Sequence, residues 1–250
     1  MLLFWLACQS PNPNKAVIVI LDGVRLTESF GDGVVPETGE PSTAFLPQIR
    51  SQLLPLGTLV RPAYQTGITI TPPAHCHLMS GTRLPTGHEQ PPELPTLFQS
   101  LLTSRPHAHT FIIGNTPHLA YLDYDIYPEE NWDIEESHDT DWTDAQVVDE
   151  LLPVLQKEHP QVTLVNLHEA DNTAHGIPNI EKYMEKIQAE DGEVIRIWEA
   201  LQQDSFYQDQ TIFVVAADHG RHDWDDPRSF QEHGDSCHGC RRIPLFLMGP

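Results

Sequence analysis

Basic residues are scarce in this chain. Its 250 residues include 14 Lys and Arg against 36 Asp and Glu, so the formal net charge is -22. A field of that sign repels polyphosphate and anionic lipid, which excludes a general role in binding nucleic-acid polymers or anionic membranes. If the chain acts on an anionic ester, its site needs local cations, and bound metal ions would supply them.

Long apolar runs are also lacking. The apolar stretch at the N-terminus ends at Cys8, is too short to cross a bilayer and has no basic residues in front of it. Ala7 and Cys8, followed by the polar sequence QSPNPN, are typical of the end of a bacterial lipoprotein signal. We predict that residues 1–14 are a truncated signal and tether of an exported protein, with a lipid anchor at Cys8. An ordinary apolar stub or a misplaced start is the alternative.

Cysteine is rare, with 4 residues. Cys237 and Cys240 form a C-x-x-C pair, but no second pair is present to complete a structural zinc site. In an exported protein such a pair favours a disulfide, so we expect these two residues to be bonded to each other. A pair of thiolates is the alternative.

Strand-like and helix-like patterns alternate along residues 15–250. Strands are predicted at residues 15–21, 58–62, 110–114, 162–167, 211–217 and 243–248. Helices are predicted at residues 42–54, 94–104, 143–159 and 180–203, and another begins near His75. We predict a single α/β domain with a mostly parallel central sheet and helices on both faces. The chain stops directly after the last predicted strand, so we expect a truncated C-terminus.

The acidic and aromatic residues 121–142 have no clear period and are predicted to form a solvated loop. Calcium binding through Asp123, Asp125 or Glu129 is the alternative, although their spacing does not follow an EF-hand pattern.

Carboxylates and imidazoles recur beside the predicted strands. They are Asp22, Asp171 with His175, Asp218 with His219, and His238 just before the last strand. Open parallel sheets bind ligands at the carboxyl ends of their strands, and these residue types are the ligands of zinc sites. Taken singly, each has an ordinary explanation. Asp22-Gly23 is a common turn, and Asp171 and His175 suit a solvated helix start as well as chelation of one ion.

Thr71 adds a hydroxyl to this pattern. It precedes Pro72 and Pro73, which fix a turn before a predicted helix. A metal ion bound to its oxygen, at a helix N-terminus that favours anions, would make Thr71 a competent nucleophile. The alternative is a simple threonine cap.

The order of these motifs resembles the alkaline phosphatase superfamily. The motifs are Asp-Gly after the first strand, T-x-P-x-H followed by S-G, D-x-x-x-H-G, A-D-H-G and a late H-G before a strand that begins with Pro. Within the superfamily, the chain is most similar to the nucleotide pyrophosphatase/phosphodiesterase branch and the related sulfatases. The resemblance extends from Lys15 to Pro250. Each motif is weak alone, but five in the same order are specific.

The resemblance implies an alkaline phosphatase-like fold with two zinc ions bridged by the phosphate of the substrate. One ion would be held by Asp22, Thr71, Asp218 and His219, and the other by Asp171, His175 and His238. Thr71 would attack phosphorus and form a phosphothreonine that is then hydrolysed. His233 competes with His238, since both precede Gly, and the spacing of His238 to Pro244 favours His238. His222 is a weaker alternative ligand.

Two departures from the resemblance concern the substrate. Sulfatases carry Cys or Ser where Thr71 stands and Arg where His75 stands, which argues against sulfate esters. The phosphodiesterase branch has an Asn that binds a phosphate oxygen, and that role is here either unfilled or taken by Asn115, Arg83 or the backbone. His75 is a further candidate for contact with substrate.

The leading hypothesis is an exported, zinc-dependent hydrolase that cleaves small phosphomonoesters or phosphodiesters. A sulfatase-like enzyme or a phosphomutase is the alternative among enzymes. A non-catalytic relative that keeps the fold as a binding module is the alternative of another class.

Overall fold

A computed structural model describes residues 14–82, 90–122, 135–176, 179–223 and 230–250. Its centre is a seven-stranded sheet with the strand order β2-β7-β6-β1-β5-β3-β4. The strands are β1 (Lys15–Leu21), β2 (Thr58–Leu59), β3 (Thr110–Gly114), β4 (Glu135–His138), β5 (Val162–Leu167), β6 (Thr211–Ala216) and β7 (Leu245–Met248).

Six α-helices connect or flank these strands in the described residues. They are α1 (Thr71–Ser80), α2 (Leu97–Ser104), α3 (Asp144–Glu158), α4 (Glu169–Gly176), α5 (Ile180–Gln203) and α6 (His238–Arg241). None of the helices in the described part of the chain combines the length and the apolar character needed to cross a membrane.

The sheet is mostly parallel, as predicted. Strand β1 lies at its centre and pairs in parallel with β5 and β6, and β3 extends the parallel arrangement with β5 and β4. Strand β7 is antiparallel to both β6 and β2. The carboxyl ends of the central strands therefore meet at one edge of the sheet.

The side chains of β1 alternate between two cores, one on each face of the sheet. Val17, Val19 and Leu21 belong to a buried cluster that includes apolar residues of α3 and α5. Ile18 and Ile20 belong to a second cluster, which includes apolar residues of α1 and α2. This two-sided burial confirms the predicted helices on both faces and explains the continuous apolar sequence of β1.

Residues 42–54 do not form the single α-helix that was predicted. The structure has short pieces there: 3-10 helices at Ser42–Ala44 and Leu54–Leu56, and a π-helix at Ile49–Leu53. Pro47 lies inside the predicted range and explains the difference, because proline has no N–H to donate within a helix.

Several other elements differ from the predictions. The predicted strands 58–62 and 243–248 are shorter in the structure, at Thr58–Leu59 and Leu245–Met248. Strand β4 lies within the segment predicted to be a loop and pairs with β3 at the edge of the sheet. Helix α2 begins at Leu97 because Thr96 caps it, with a reciprocal bond between the Thr96 N–H and the side chain of Gln99. Helix α1 begins at Thr71, before the predicted start near His75.

The thiols of Cys237 and Cys240 are free, which corrects the expected disulfide. Cys237 is the N-cap of α6, and its Sγ accepts a hydrogen bond from the N–H of Cys240 at 3.2 Å. The predictions for Cys8, Arg83 and the acidic residues Asp123, Asp125 and Glu129 lie outside the described residues.

Candidate metal centre

Seven side chains from separate parts of the chain meet beyond the carboxyl ends of β1, β5 and β6. We name them the carboxylate–imidazole cluster: Asp22, Thr71, Asp171, His175, Asp218, His219 and His233. Six of them were predicted as site residues, and His233 was the competing choice for the last position. Parallel strands explain the meeting, since residues that follow them share one edge of the sheet.

The first half of the cluster surrounds the hydroxyl of Thr71. Its Oγ1 lies 3.4 Å from Oδ1 of Asp22 and 3.1 Å from Nε2 of His219. The same His219 nitrogen is 3.3 Å from Oδ2 of Asp218. Asp22, Asp218 and His219 are fully buried, so these polar groups face one another and not solvent.

Asp218 is held by the backbone through one carboxylate oxygen only. Its Oδ1 accepts hydrogen bonds from the N–H groups of Gly23 at 3.2 Å and His219 at 2.8 Å. Its Oδ2 is buried and has no hydrogen-bond partner. Burial, with the nearby charge of Asp22, raises the pKa of Asp218 well above its ordinary value. A buried carboxylate oxygen without a partner is costly, and a bound cation would remove that cost.

The second half of the cluster depends on α4. Asp171 and His175 are one helical turn apart, and Oδ2 of Asp171 lies 3.2 Å from Nε2 of His175. His233 joins them, with its Nε2 2.8 Å from that of His175 and 3.7 Å from Oδ1 of Asp171. Two ring nitrogens and a carboxylate thus converge on one point.

Arg221 forms a buried ion pair with Asp171. Burial by itself would raise the pKa of Asp171, but the Arg221 guanidinium and the hydrogen bond from His175 hold it well below its ordinary value. Burial lowers the pKa of His233 to about 3, with a contribution from the neighbouring His219. A carboxylate and a neutral imidazole are the forms that bind metal ions.

His233, and not His238, belongs to the cluster. Its ring stacks on that of His219 with centroids 4.0 Å apart, and its Nδ1 lies 2.8 Å from the carbonyl oxygen of Thr69. His238 instead begins α6, and its ring packs against Tyr64 at 6.5 Å. Spacing to Pro244 favoured His238, but the loop before α6 brings His233 to the site.

Thr71 is the first residue of α1, next to two prolines. Pro72 and Pro73 have no N–H, so they provide none of the exposed donors that a helix N-terminus was expected to offer an anion here. Thr71 is nearly buried, and its hydroxyl points to Asp22 and His219. Attraction of an anion to this site therefore depends on cations more than on the helix.

Gly23 allows the two halves to approach each other. Its φ is +66°, and a Cβ there would lie 2.2 Å from Oδ1 of Asp171. Only glycine combines that backbone conformation with that approach. The Asp-Gly sequence after β1 is therefore required for packing at the site, whatever its frequency in ordinary turns.

Two residues that the sequence analysis did not select hold Asp22. Nδ1 of His168 lies 2.9 Å from Oδ2 of Asp22, and Nδ2 of Asn166 donates to the same oxygen at 3.1 Å. Burial alone would lower the pKa of His168, but the charge of Asp22 and this hydrogen bond raise it to about 9. His168 directly follows β5, so the rule that selected Asp22 could have found it.

Two of the three predicted substrate-binding residues, Asn115 and His75, are not among the described residues that line the cavity. Both polar atoms of the Asn115 amide form hydrogen bonds within the protein. Its Nδ2 donates to Asp144 at 2.9 Å, and its Oδ1 accepts from the N–H of His168 at 3.0 Å. His75 is fully buried beneath the site, with its Nε2 2.9 Å from Oδ1 of Asn166. Arg83 lies outside the described residues.

A cavity of about 300 Å³ opens beside the cluster. It is lined by Ile70, Thr71, Pro72, His118, His168, Asp171, His175, Glu232 and His233. His118 and His168 offer imidazoles to a bound anion. The size of the cavity suits a small molecule.

The residues present fit two divalent cations. Asp22, Asp218 and His219 offer ligand atoms within 4.8 Å of one another, and so do Asp171, His175 and His233. Carboxylate oxygen and imidazole nitrogen are ligands of zinc, and the orphaned Oδ2 of Asp218 lies in the first group.

A family model described as the metalloenzyme superfamily matches residues 115–250 of the chain. Among curated proteins, GPI ethanolamine phosphate transferase 1 of Emericella nidulans is 27% identical over 267 residues, which cover 94% of this chain. The chain spans 27% of the length of that relative.

Solved structures share the fold. A 2-O GAG sulfatase superposes with a TM-score of 0.69 at 14% identity, over 96% of this chain and 65% of that one. The C-terminal periplasmic domain of EptC from Escherichia coli, in complex with Zn, gives a TM-score of 0.59 at 15% identity, over 96% of this chain and 74% of that one. These similarities confirm the predicted α/β architecture.

Proposed function

The chain belongs to the alkaline phosphatase-like metalloenzyme superfamily, and from this premise we propose that it cleaves small phosphate esters with Thr71 as the nucleophile. The observation that carries the proposal is the place of the Thr71 hydroxyl. It lies at the wall of the cavity, between the buried Asp22 and His219, next to two groups of metal ligands.

The charge of the site supports a bound metal pair. Asp22, Asp171 and Asp218 are three buried carboxylates that would repel a phosphate. Two divalent cations exceed their charge by one unit and make the cavity attractive to an anion. When bound, such ions lower the pKa of the attacking hydroxyl and offset negative charge on the phosphoryl oxygens. Zinc suits the oxygen and nitrogen ligands, and we propose two zinc ions.

The reaction forms and breaks one bond to phosphorus in each of two steps. In the first, Oγ1 of Thr71 bonds to phosphorus, the bond from phosphorus to the leaving alcohol breaks, and the proton of the Thr71 hydroxyl ends on the oxygen of that alcohol. In the second, the oxygen of water bonds to phosphorus, the phosphothreonine bond breaks, and a proton of that water ends on Oγ1 of Thr71. His168 lies on the cavity wall beside Asp22, where its imidazole can donate a hydrogen bond to a phosphoryl oxygen.

Transfer to an alcohol is the second candidate function. It is favoured by the 27% identity with GPI ethanolamine phosphate transferase 1, which covers 94% of this chain. Both reactions share the first step, and they differ only in whether water or an alcohol takes the phosphoryl group from Thr71. A sulfatase-like reaction is less favoured because a threonine stands at the nucleophile position.

Substitution of Thr71 tests the proposal. In Thr71→Ala, we expect hydrolysis of nitrophenyl phosphate and bis-nitrophenyl phosphate to fall about 10³-fold or more, as for loss of other covalent nucleophiles. Thr71→Ser keeps a hydroxyl and should stay within about tenfold of the wild type. Acid-quenched wild type should carry a phosphoryl group on the peptide that contains Thr71, detected by mass spectrometry.

Thr66→Ala is the matched control, because Thr66 is an exposed threonine in the same segment. Wild-type activity in Thr71→Ala, or faster turnover of nitrophenyl sulfate than of the phosphate ester, would contradict the proposal. Absence of turnover of any ester would favour the non-catalytic alternative. Release of more nitrophenol than inorganic phosphate in glycerol would identify transfer.

We also propose that the protein is exported and anchored by lipid at Cys8, with a small phosphate ester and not a nucleic-acid polymer as its substrate. The sequence around Cys8 and the strongly negative net charge support these points. Incorporation of labelled palmitate that persists in Cys8→Ser would refute the anchor.

A further inference from the structure

A second set of metal-ligand side chains converges beyond the end of β6, outside the carboxylate–imidazole cluster. It consists of His222, Asp235, Cys237 and Cys240, which we name the Cys–His–Asp tetrad. One ligand atom from each lies within 4.8 Å of those of the others. The chain has one C-x-x-C pair, and the fold adds a histidine and a carboxylate to it.

We propose that the Cys–His–Asp tetrad is a structural binding site for one thiophilic divalent cation, with zinc as the preferred ion. In a tetrahedral zinc site, ligand atoms about 2.0–2.3 Å from the metal lie about 3.3–3.8 Å from one another. The observed limit of 4.8 Å requires only small side-chain movements to reach that geometry. Two thiolates select zinc over magnesium or calcium, which prefer oxygen ligands.

The ligands are already oriented by local hydrogen bonds. The N–H of Cys237 donates to Oδ1 of Asp235 at 2.7 Å, which leaves Oδ2 of Asp235 3.1 Å from Nε2 of His222. The N–H of Cys240 donates to Sγ of Cys237 at 3.2 Å. Bonds of this kind fix the position and charge of metal ligands.

The tetrad differs from a catalytic site in being closed. Cys240 and His222 are buried, and four protein ligands fill a tetrahedron without an open position. None of the four residues lines the cavity beside Thr71. A metal ion in the tetrad would therefore stabilise structure and take no part in the reaction.

The position of the tetrad indicates what it stabilises. His222 comes three residues after His219, and Asp235 comes two residues after His233. An ion held by both would fasten together the two loops that carry these imidazoles. Such a link between the loops does not involve the substrate, so this inference does not depend on the proposed function.

Close backbone contacts occur where the two loops meet. The N–H of Gly220 donates to the carbonyl oxygen of Cys240 at 2.8 Å. A Cβ at Gly239 would lie 2.4 Å from the carbonyl oxygen of Arg221. The thiols are thus held beside the β6 loop by the backbone.

Cobalt(II) titration of the reduced, metal-free full chain tests the proposal. Thiolate ligands give a sulfur-to-cobalt charge-transfer absorption in the near ultraviolet, and the carboxylate–imidazole cluster contains no cysteine. We expect this absorption to saturate at the intensity of one thiolate-bound cobalt ion per chain, whatever the order in which the two regions fill, and to disappear when zinc is added. Cobalt binding by the wild type without this absorption would overturn the proposal. Because the measurement uses the wild type, it does not depend on the folding of a variant.

Variants locate the site. Cys240→Ser should abolish the absorption and lower the zinc content by one ion per chain, whereas Cys76→Ala, which alters a buried thiol elsewhere, should change neither. His175→Ala should keep the absorption because it changes only the carboxylate–imidazole cluster. An absorption that survives in Cys240→Ser but disappears in Cys76→Ala or His175→Ala would refute the assignment.

Discussion

The carboxylate–imidazole cluster and the Cys–His–Asp tetrad both lie beyond the end of β6, but their side chains come from the chain in different ways. The ligands of the first come from points spread between Asp22 and His233, and those of the second lie within residues 222–240. The first borders a cavity, and the second lies apart from its lining. Sites formed after distant strands stay accessible at the edge of the sheet, whereas residues close in sequence can supply all four positions of a tetrahedral site.

This difference separates the roles of neighbouring histidines. His219 and His222 are three residues apart, and His233 and Asp235 are two apart, yet each pair divides between the two regions. A chain segment can therefore supply one side chain for chemistry and the next for support. Variants that affect one region and not the other test this division.

The largest effect that we expect in such variants concerns His233 and His238. His233→Ala removes a ligand from the carboxylate–imidazole cluster, so kcat/KM for a phosphate ester should fall about 10²-fold or more, with loss of bound metal. His238→Ala should stay within about twofold, because its ring packs on Tyr64 and not on the cluster. Steady-state kinetics and elemental analysis measure both. The reverse order of effects would show that the spacing to Pro244 had identified the correct residue.

A smaller effect is expected on the free energy of unfolding when Gly23 is replaced. Its two causes, backbone strain and crowding of the cluster, can be measured separately. In Gly23→Ala, the positive φ costs about 1–2 kcal/mol, and contact of the new Cβ with Asp171 adds about 1–3 kcal/mol. Gly39→Ala is the matched control, because Gly39 has a φ of +74° with open space around it and should lose only the first amount. Urea unfolding compares the two. Equal losses in both variants would mean that Asp171 moves freely.

The smallest effect that we expect is on the pH dependence of the free energy of unfolding, and it comes from the buried carboxyl of Asp144. Burial, with the nearby charge of Glu169, raises the pKa of Asp144 from 3.8 to about 6. The folded state therefore holds the Asp144 proton more tightly than the unfolded state, and the free energy of unfolding falls as pH rises from about 4 to about 6. In Asp144→Asn this fall, up to about 3 kcal/mol, should be absent.

Urea unfolding of the wild type and Asp144→Asn at several pH values measures this difference. The amide of the variant keeps an oxygen that can accept from Asn115 and from the N–H of His168, so the hydrogen bonds survive. Parallel pH profiles of the two proteins would refute the raised pKa.

The sequence predicted the central strands, and it predicted six residues that the fold brings together in the cluster, because both follow from local patterns. The continuous apolar run of β1 is buried on both faces. Asp22 directly follows β1 and Asp218 comes two residues after the end of β6, and these two strands pair in parallel. The predicted helix at residues 42–54 was wrong because Pro47 lies within it and the segment divides there into shorter pieces.

The choice between His233 and His238 as the last candidate ligand shows what local sequence patterns do not determine. His233 and His238 both precede glycine, and only the path of the loop brings the ring of His233 onto His219. The same holds for His222 and Asp235, which approach the C-x-x-C pair through folding. Distances between loop residues depend on the whole loop, so spacing in the sequence does not determine them.

The sequence by itself determined the α/β class, the edge of the sheet where Asp22, Asp218 and His219 lie, and the acidic net charge of the chain. Those features depend on strand patterns and composition, which are properties of neighbouring residues. Only the tertiary structure decided that His233 joins the cluster, that His168 and Asn166 hold Asp22, and that Cys237 and Cys240 have a histidine and a carboxylate beside them. Each of these contacts joins side chains whose approach is set by the packing of loops on the sheet.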